Sequence, residues 1–122
     1  MEEIARLDHV YQYNELMGIE TLHPLVSVID MSKCPRMRHS RRLYGFYCIF
    51  LKDVKCGDLR YGRNYYDYQE GTLVFTAPGQ VVGVEDNGEV FQPKGWALLF
   101  HPDLIRGTSL GRSIDRYTFF SY

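Results

Sequence analysis

The sequence predicts a mainly β domain, and three observations carry that reading. From residue 24 onward, seven or eight short runs rich in β-branched and aromatic residues follow one another, with turn residues between them. Only one stretch, near the N-terminus, has helical spacing of its apolar residues. Strands do not alternate with helix-length segments, which excludes a parallel α/β architecture. A barrel or a sandwich of one domain is expected, since 122 residues can bury roughly two-thirds of the surface of the unfolded chain.

The elements are expected in the following order. Residues 2–17 carry Ile4, Leu7, Val10, Tyr11 and Leu16 near helical spacing, and Gly18 is a plausible stop, which predicts one amphipathic N-terminal helix. PLVSVID (24–30) is β-branched and reads as a strand. KCPRMRHSRR (33–42) concentrates Lys33, Arg36, Arg38, Arg41 and Arg42; Pro35 and the lack of apolar periodicity make it a solvated loop, with an anion or nucleic-acid contact as the alternative. RLYGFYCIFL (42–51) is almost continuously apolar, which predicts one strand covered on both faces. DLRYGRNYYDY (58–68) reads as one tyrosine-rich strand, followed by TLVFT (72–76) and QVVGV (80–84). Asn87-Gly88 supplies the residues of a type I′ hairpin turn, with VFQ (90–92) running back. GWALLFHP (95–102) is a strand ending in a short helical turn, and RYTFFSY (116–122) is a last strand. The sequence stops inside YTFFSY without a polar tail, which predicts that it is cut from a longer polypeptide.

Composition narrows the function classes. Net charge is −1, whereas a dedicated nucleic-acid binder carries a basic surplus to neutralise phosphates. No apolar run approaches the ~20 residues of a membrane span, and the N-terminus is not a secretion signal. Cys34, Cys48 and Cys56 are odd in number and form no CxxC pair, so reduced, cytoplasmic thiols are expected. No Ser-His-Asp order or nucleophile elbow is legible. Asp58 with Asp67, and Glu85 with Glu89, are read as solvated carboxylates beside turns.

The most strongly punctuated segment is EGTLVFTAPGQ (70–80). Gly71 permits a tight entry, Pro78 fixes φ at the exit, and Gly79 suits the positive φ at the third position of a type II turn. G-T-L-V-F-T-A-P-G (71–79) resembles the second motif of cupin barrels, and in particular the N-terminal sensor domains of AraC-family transcription regulators. GFYCIFLKD (45–53), DLRYGRNYYDYQEGTLVF (58–75) and GWALLFHPDLIRGTSLG (95–111) are similar to a run found in a Bacteroidetes-type branch of that family. The resemblance covers most of residues 20–122. It implies a cupin-like barrel over 19–122, an N-terminal helical arm over 1–18, and a helix-turn-helix DNA-binding domain beyond this chain. It also implies a homodimer, a small-molecule effector such as a sugar inside the barrel, and DNA contacts only through the domain absent here.

The departures from the cupin pattern are informative. The motif histidine would fall three residues after Gly79, where Val82 stands, and an earlier histidine pair would fall near Arg63, Asn64 and Tyr65. Three His or carboxylate ligands are ordinarily needed to hold a catalytic ion. His9, His23 and His39 lie in the N-terminal helix and connecting segments, and His101 at a strand end is expected to make a structural hydrogen bond. No metal, cofactor or catalytic residue is therefore assigned, and a non-catalytic regulator is expected; a stand-alone cupin metalloenzyme (an isomerase or dioxygenase), a small-molecule-binding cupin and a solid dimerisation module are the alternatives. The candidate ligand residues are Tyr47, Arg60, Tyr66, Tyr68 and Trp96, combining apolar faces, hydroxyl tips and one guanidinium. Strand alternation groups Arg60 with Tyr66 and Tyr68, and Tyr61 with Arg63 and Tyr65; the first set is taken to face inward.

Overall fold

The structure, a computed structural model, describes residues 4–52, 58–61, 64–67, 72–83 and 88–117; for Lys52, 58–61, 64–67 and Thr72 the description is of the backbone. The described chain is mainly β, as expected. Its elements are β1 (Ala5–Leu7), α1 (Val10–Leu16), β2 (Val26–Asp30), β3 (Met37–Arg38), β4 (Arg41–Tyr44), β5 (Tyr47–Lys52), β6 (Asp58–Tyr61), β7 (Asn64–Asp67), β8 (Thr72–Thr76), β9 (Val81–Gly83), β10 (Val90–Phe91), β11 (Gly95–Phe100), α2 (Pro102–Ile105) and α3 (Ser109–Ser113). The strands form a five-stranded sheet in the order β1-β4-β9-β6-β7, a four-stranded sheet β2-β11-β5-β8, and a ribbon β10-β3. The described strands do not close into one barrel, so the cupin-like barrel implied by the resemblance is seen only at the coarser level of two sheets and a ribbon.

The N-terminal helix is shorter than its apolar spacing predicts. Gln12 reaches back, its Oε1 accepting from the backbone N–H groups of Asp8 (2.8 Å) and His9 (2.9 Å), which fixes the helix start at Val10. Residues before that point pair instead with β4, in parallel, through Ala5↔Arg42 and Leu7↔Tyr44. Ladder hydrogen bonds for the β1 backbone outweigh the weak helical propensity of a segment this short. Gly18 ends the helix at φ +71°, as expected. Val10, Tyr13 and Met17 form the buried stripe of α1. Asn14 is buried beside them and hydrogen-bonded through both ends of its amide: its nitrogen donates to Thr21 Oγ1 at 3.1 Å and its oxygen accepts from Ser27 Oγ at 2.8 Å, tying the helix to β2.

The apolar run 42–51 is not one strand. It breaks at Gly45-Phe46, so that β4 belongs to one sheet and β5 to the other. The continuous hydrophobicity has two causes: the run supplies the interior from both sheets, and β5 is covered on both faces, Cys48 and Phe50 packing inward while Tyr47 and Ile49 pack with Ile105 and Ile114 on the outer side. Tyr44 and Val82 face the interior from the five-stranded sheet, and Ile29, Cys48, Phe50, Val74, Ala97 and Leu99 from the four-stranded one, with Phe46 at the corner. Each fully buried aliphatic or aromatic side chain here contributes about 1.5–3 kcal/mol relative to exposure.

The bracketed strand behaves as the sequence predicts. β8 buries Val74 and Thr76 on one face and turns at Pro78-Gly79, where Gly79 has φ +87° and Gln80 N–H donates to Ala77 O at 3.3 Å. The Gln80 side chain closes the same turn by accepting from Ala77 N–H at 2.9 Å.

Three expectations are corrected. DLRYGRNYYDY is not one strand but two antiparallel ones, β6 with β7, pairing Arg60↔Tyr65 and Leu59↔Tyr66. β10 does not run back along β9; it pairs with β3 inside the basic segment, so that segment is not simply a loop. RYTFFSY does not begin as a strand: Arg116 belongs to a 3₁₀ turn, Ile114–Arg116, and Tyr117 to no regular element, while 118–122 lie outside the described residues, as do Asn87 and Gly71.

Gly83, at the end of β9, has φ +96°, and a Cβ there would stand 2.1 Å from the Ser40 carbonyl oxygen. Gly107 has φ +80° but nothing within 4 Å of such a Cβ. Urea unfolding should therefore show Gly83→Ala losing about 2 kcal/mol or more, and Gly107→Ala only the ~1 kcal/mol of the left-handed conformation. Equal losses would contradict the close approach of β9 to the 40–41 backbone.

Candidate ligand site

Val82 is the point from which the interior is best described. It is buried in the centre of β9, paired with Arg42 on β4 and with Tyr61 on β6. At the position where the cupin pattern of the resemblance would carry a histidine, Val82 thus places an isopropyl group within the apolar core. Among the described residues no group of three His, Cys, Asp or Glu side chains gathers to hold a metal ion. The histidines are used elsewhere. His9 stacks on Tyr11 (5.3 Å) and His101 (5.7 Å), His39 stacks on Phe91 (4.5 Å), and His23 Nδ1 accepts from Leu25 N–H at 3.0 Å. His101 caps α2, its Nδ1 accepting from Asp103 N–H at 3.1 Å, which is the structural role expected of it.

Around Val82 the interior carries a polar cluster. Tyr44 lies two residues beyond Arg42 on the same face of β4 and stacks on Phe46 at 5.1 Å. Tyr13 from α1 meets both rings edge-on, at 5.7 Å from Tyr44 and 6.4 Å from Phe46. Such pairs add ~0.5–1.5 kcal/mol each beyond area burial. The Arg42 guanidinium is half-buried; its Nε donates to Ser40 Oγ at 3.0 Å and its charge lies against the Tyr44 hydroxyl. Burial pushes the Tyr44 phenol up to about 12, with Arg42 pulling the other way through its charge and hydrogen bond. Burial also raises Tyr13 well above the ordinary tyrosine value, and neighbouring Tyr44 raises it further.

The residues predicted to bind ligand are divided by this geometry. Tyr47 and Trp96 lie on the outer face of the four-stranded sheet, not between the sheets. Tyr47 stacks on Phe100 at 5.1 Å beneath Ile105 and Ile114, so α2 and the 3₁₀ turn cover it. Trp96 is 49% exposed, near Val28 and Leu73 on the same uncovered face. Alternation along GWALLF forces this: Ala97 and Leu99 take the interior, so Trp96, Leu98 and Phe100 point out. Arg60 and Tyr66 were expected on one face, but the antiparallel register places them on opposite faces, since Arg60 pairs with Tyr65 and Tyr66 with Leu59. Tyr61, and with it Tyr66, falls on the Val82 face of the sheet. Tyr68 and Arg63 lie outside the described residues.

Arg42, Tyr44 and Tyr13 were not singled out from the sequence. Arg42 was absorbed into the basic segment, and Tyr13 falls outside the apolar series that defined the predicted helix. The available signal was the i, i+2, i+4 series Arg42, Tyr44, Phe46, which puts a charge on the same parity as two aromatic rings.

A scan against protein-family models and a search of curated proteins both found no match to this chain.

The raised phenols link stability to alkaline pH. A tyrosine near 10 in the unfolded chain and about 12 in the native one holds its proton more tightly when folded, so its contribution is full below pH 10 and is lost as pH rises to 12. Urea unfolding should show the native state losing about 2–3 kcal/mol from Tyr44 across that window. Tyr44→Phe should flatten that part of the profile; an unchanged slope would remove Tyr44 from the account.

Proposed function

We propose that this chain is the non-catalytic regulatory domain of an AraC-type transcription factor, whose interior takes a small-molecule effector. The observation that supports this most is Val82, an apolar core residue at the position where the cupin pattern carries a metal-binding histidine. The polar groups beside it, Arg42, Tyr44 and Tyr13, suit binding and orientation better than bond-making: two phenols held protonated by burial and one permanently charged guanidinium offer no base near neutral pH.

In this reading the effector acts by binding one arrangement of the domain better than another. A coupling of ~1–3 kcal/mol changes promoter occupancy ~5–150-fold. The domain works as a homodimer and in the cytoplasm, and DNA is contacted through a separate helix-turn-helix domain. No helix among the described residues is long and apolar enough to cross a membrane.

The competing reading is a cupin metalloenzyme. Elemental analysis of the purified chain after dialysis should find far less than one transition-metal ion per protomer; a stoichiometric, tightly held ion would favour the enzyme. The coding sequence downstream of Tyr122 should specify a helix-turn-helix pair, and a stop codon there would contradict the regulator. Sedimentation of the chain should give a dimer, and the chain by itself should not shift a DNA duplex at 150 mM salt.

A further inference from the structure

We infer that Arg42 anchors a site for a small organic carboxylate between the two sheets. The inference rests on the sensor reading above and names the chemical class of its effector.

Arg42 is on the inner face of β4, in register with the buried Val82 and two residues from the buried Tyr44. A guanidinium withdrawn from water is ordinarily matched by a carboxylate, because desolvating a charge is costly unless an opposite charge compensates it. Among the described residues the ion pairs join Arg6 to Asp8 and Arg106 to Asp103, and neither carboxylate is placed against Arg42. Its neighbours are instead neutral: Ser40 Oγ accepts from Nε at 3.0 Å, and the Tyr44 and Tyr13 phenols stay protonated at neutral pH. The groups shown against the guanidinium are thus hydroxyl oxygens, and among the described residues no carboxylate offsets its charge.

A second observation points to the same interior. Thr76 is 1% exposed, on the inner face of β8 directly across from Cys48, and its Oγ1 has no hydrogen-bond partner among the described residues. Cys48 in turn is close enough to Tyr44 to influence its ionisation. A buried, unsatisfied hydroxyl costs about 1–3 kcal/mol and is uncommon in a core unless something else uses it. A carboxylate accepts two parallel N–H bonds from a guanidinium and has lone pairs left for hydroxyl donors. Arg42 with the Tyr44 hydroxyl beside it would supply the charged fork and a hydroxyl donor, Tyr13 and Thr76 are further buried hydroxyls on elements facing the same core, and Val82 with the aromatic rings supplies an apolar wall for the body of the ligand.

The test uses the whole chain and two probes of matched shape, sodium benzoate and benzyl alcohol, titrated calorimetrically at constant ionic strength. Benzoate should bind about tenfold or more tighter than benzyl alcohol. Arg42→Met should lose about tenfold or more of the benzoate affinity, and Arg42→Lys should keep part of it, with far-UV circular dichroism checking that each variant is folded. If Arg42→Met does not fold, the contrast between the two probes on the unsubstituted chain and on Arg42→Lys still decides the matter. Equal affinity for the two probes, benzoate binding that Arg42→Met leaves unchanged, or no benzoate binding overturns the assignment. Those outcomes leave the sensor reading standing, which fails separately on a stoichiometric metal ion or a stop codon after Tyr122.

Discussion

The arrangement depends on a corner at Gly45, where backbone passes against backbone. Its N–H donates to the Leu7 carbonyl at 2.8 Å, and a Cβ at this position would lie 2.9 Å from the Asp8 carbonyl oxygen. Only a residue without a side chain lets the 44–46 segment cross so close to the end of β1. From that crossing follow the separation of β4 from β5, the assignment of one apolar run to two sheets, and the placing of Tyr44 and Phe46 face to face. The Pro78-Gly79 turn supports the same corner, since Gly79 N–H donates to the Tyr44 carbonyl at 2.9 Å. The stiffly bracketed strand is thus a buttress: its turn holds the backbone of the residue that carries the buried phenol.

Helix α1 completes the enclosure. Its buried stripe of Val10, Tyr13 and Met17 enters the same core as both sheets, and Asn14 locks it to Thr21 and Ser27 through a buried amide hydrogen-bonded at both ends. Tyr13 then contributes the third ring of the cluster, with its hydroxyl on the side of Tyr44 and Arg42. The interior consequently has two characters: hydrocarbon across most of its area, and a compact polar group where α1, β4 and β9 converge. The first accounts for folding; the second is the part of the interior with groups able to recognise a ligand.

Much of the architecture was legible, and the misreadings share a cause. The strands at 26–30, 72–76 and 95–100 and the Pro-Gly turn followed from β-branched content and turn chemistry, which act locally. What failed needed information from distant partners. The run 42–51 hides its break because both halves are apolar, and only the approach of Asp8 explains Gly45. The parity of GWALLF was ambiguous because every residue after Gly95 is apolar, so nothing local revealed that Trp96 would face out. In 58–68 the tyrosines likewise occupy both parities, and the alternation argument assumed a single strand where the chain folds back. Tyr47 and Trp96 were chosen for their chemistry, and the structure puts them on the far side of the sheet from Val82. Arg42 looked like one of five basic loop residues until pairing with Val82 gave it a direction.

The proposal is that a carboxylate ligand enters the interior at Arg42, beside Val82, and not the outer sheet face around Trp96. Amide and side-chain chemical shifts of the isotope-labelled chain, followed during a benzoate titration, test it most directly. The account predicts saturable shifts centred on Arg42, Tyr44, Tyr13 and Val82, with Val28, Leu73 and Trp96 unmoved. Shifts confined to Val28, Leu73 and Trp96 would contradict it.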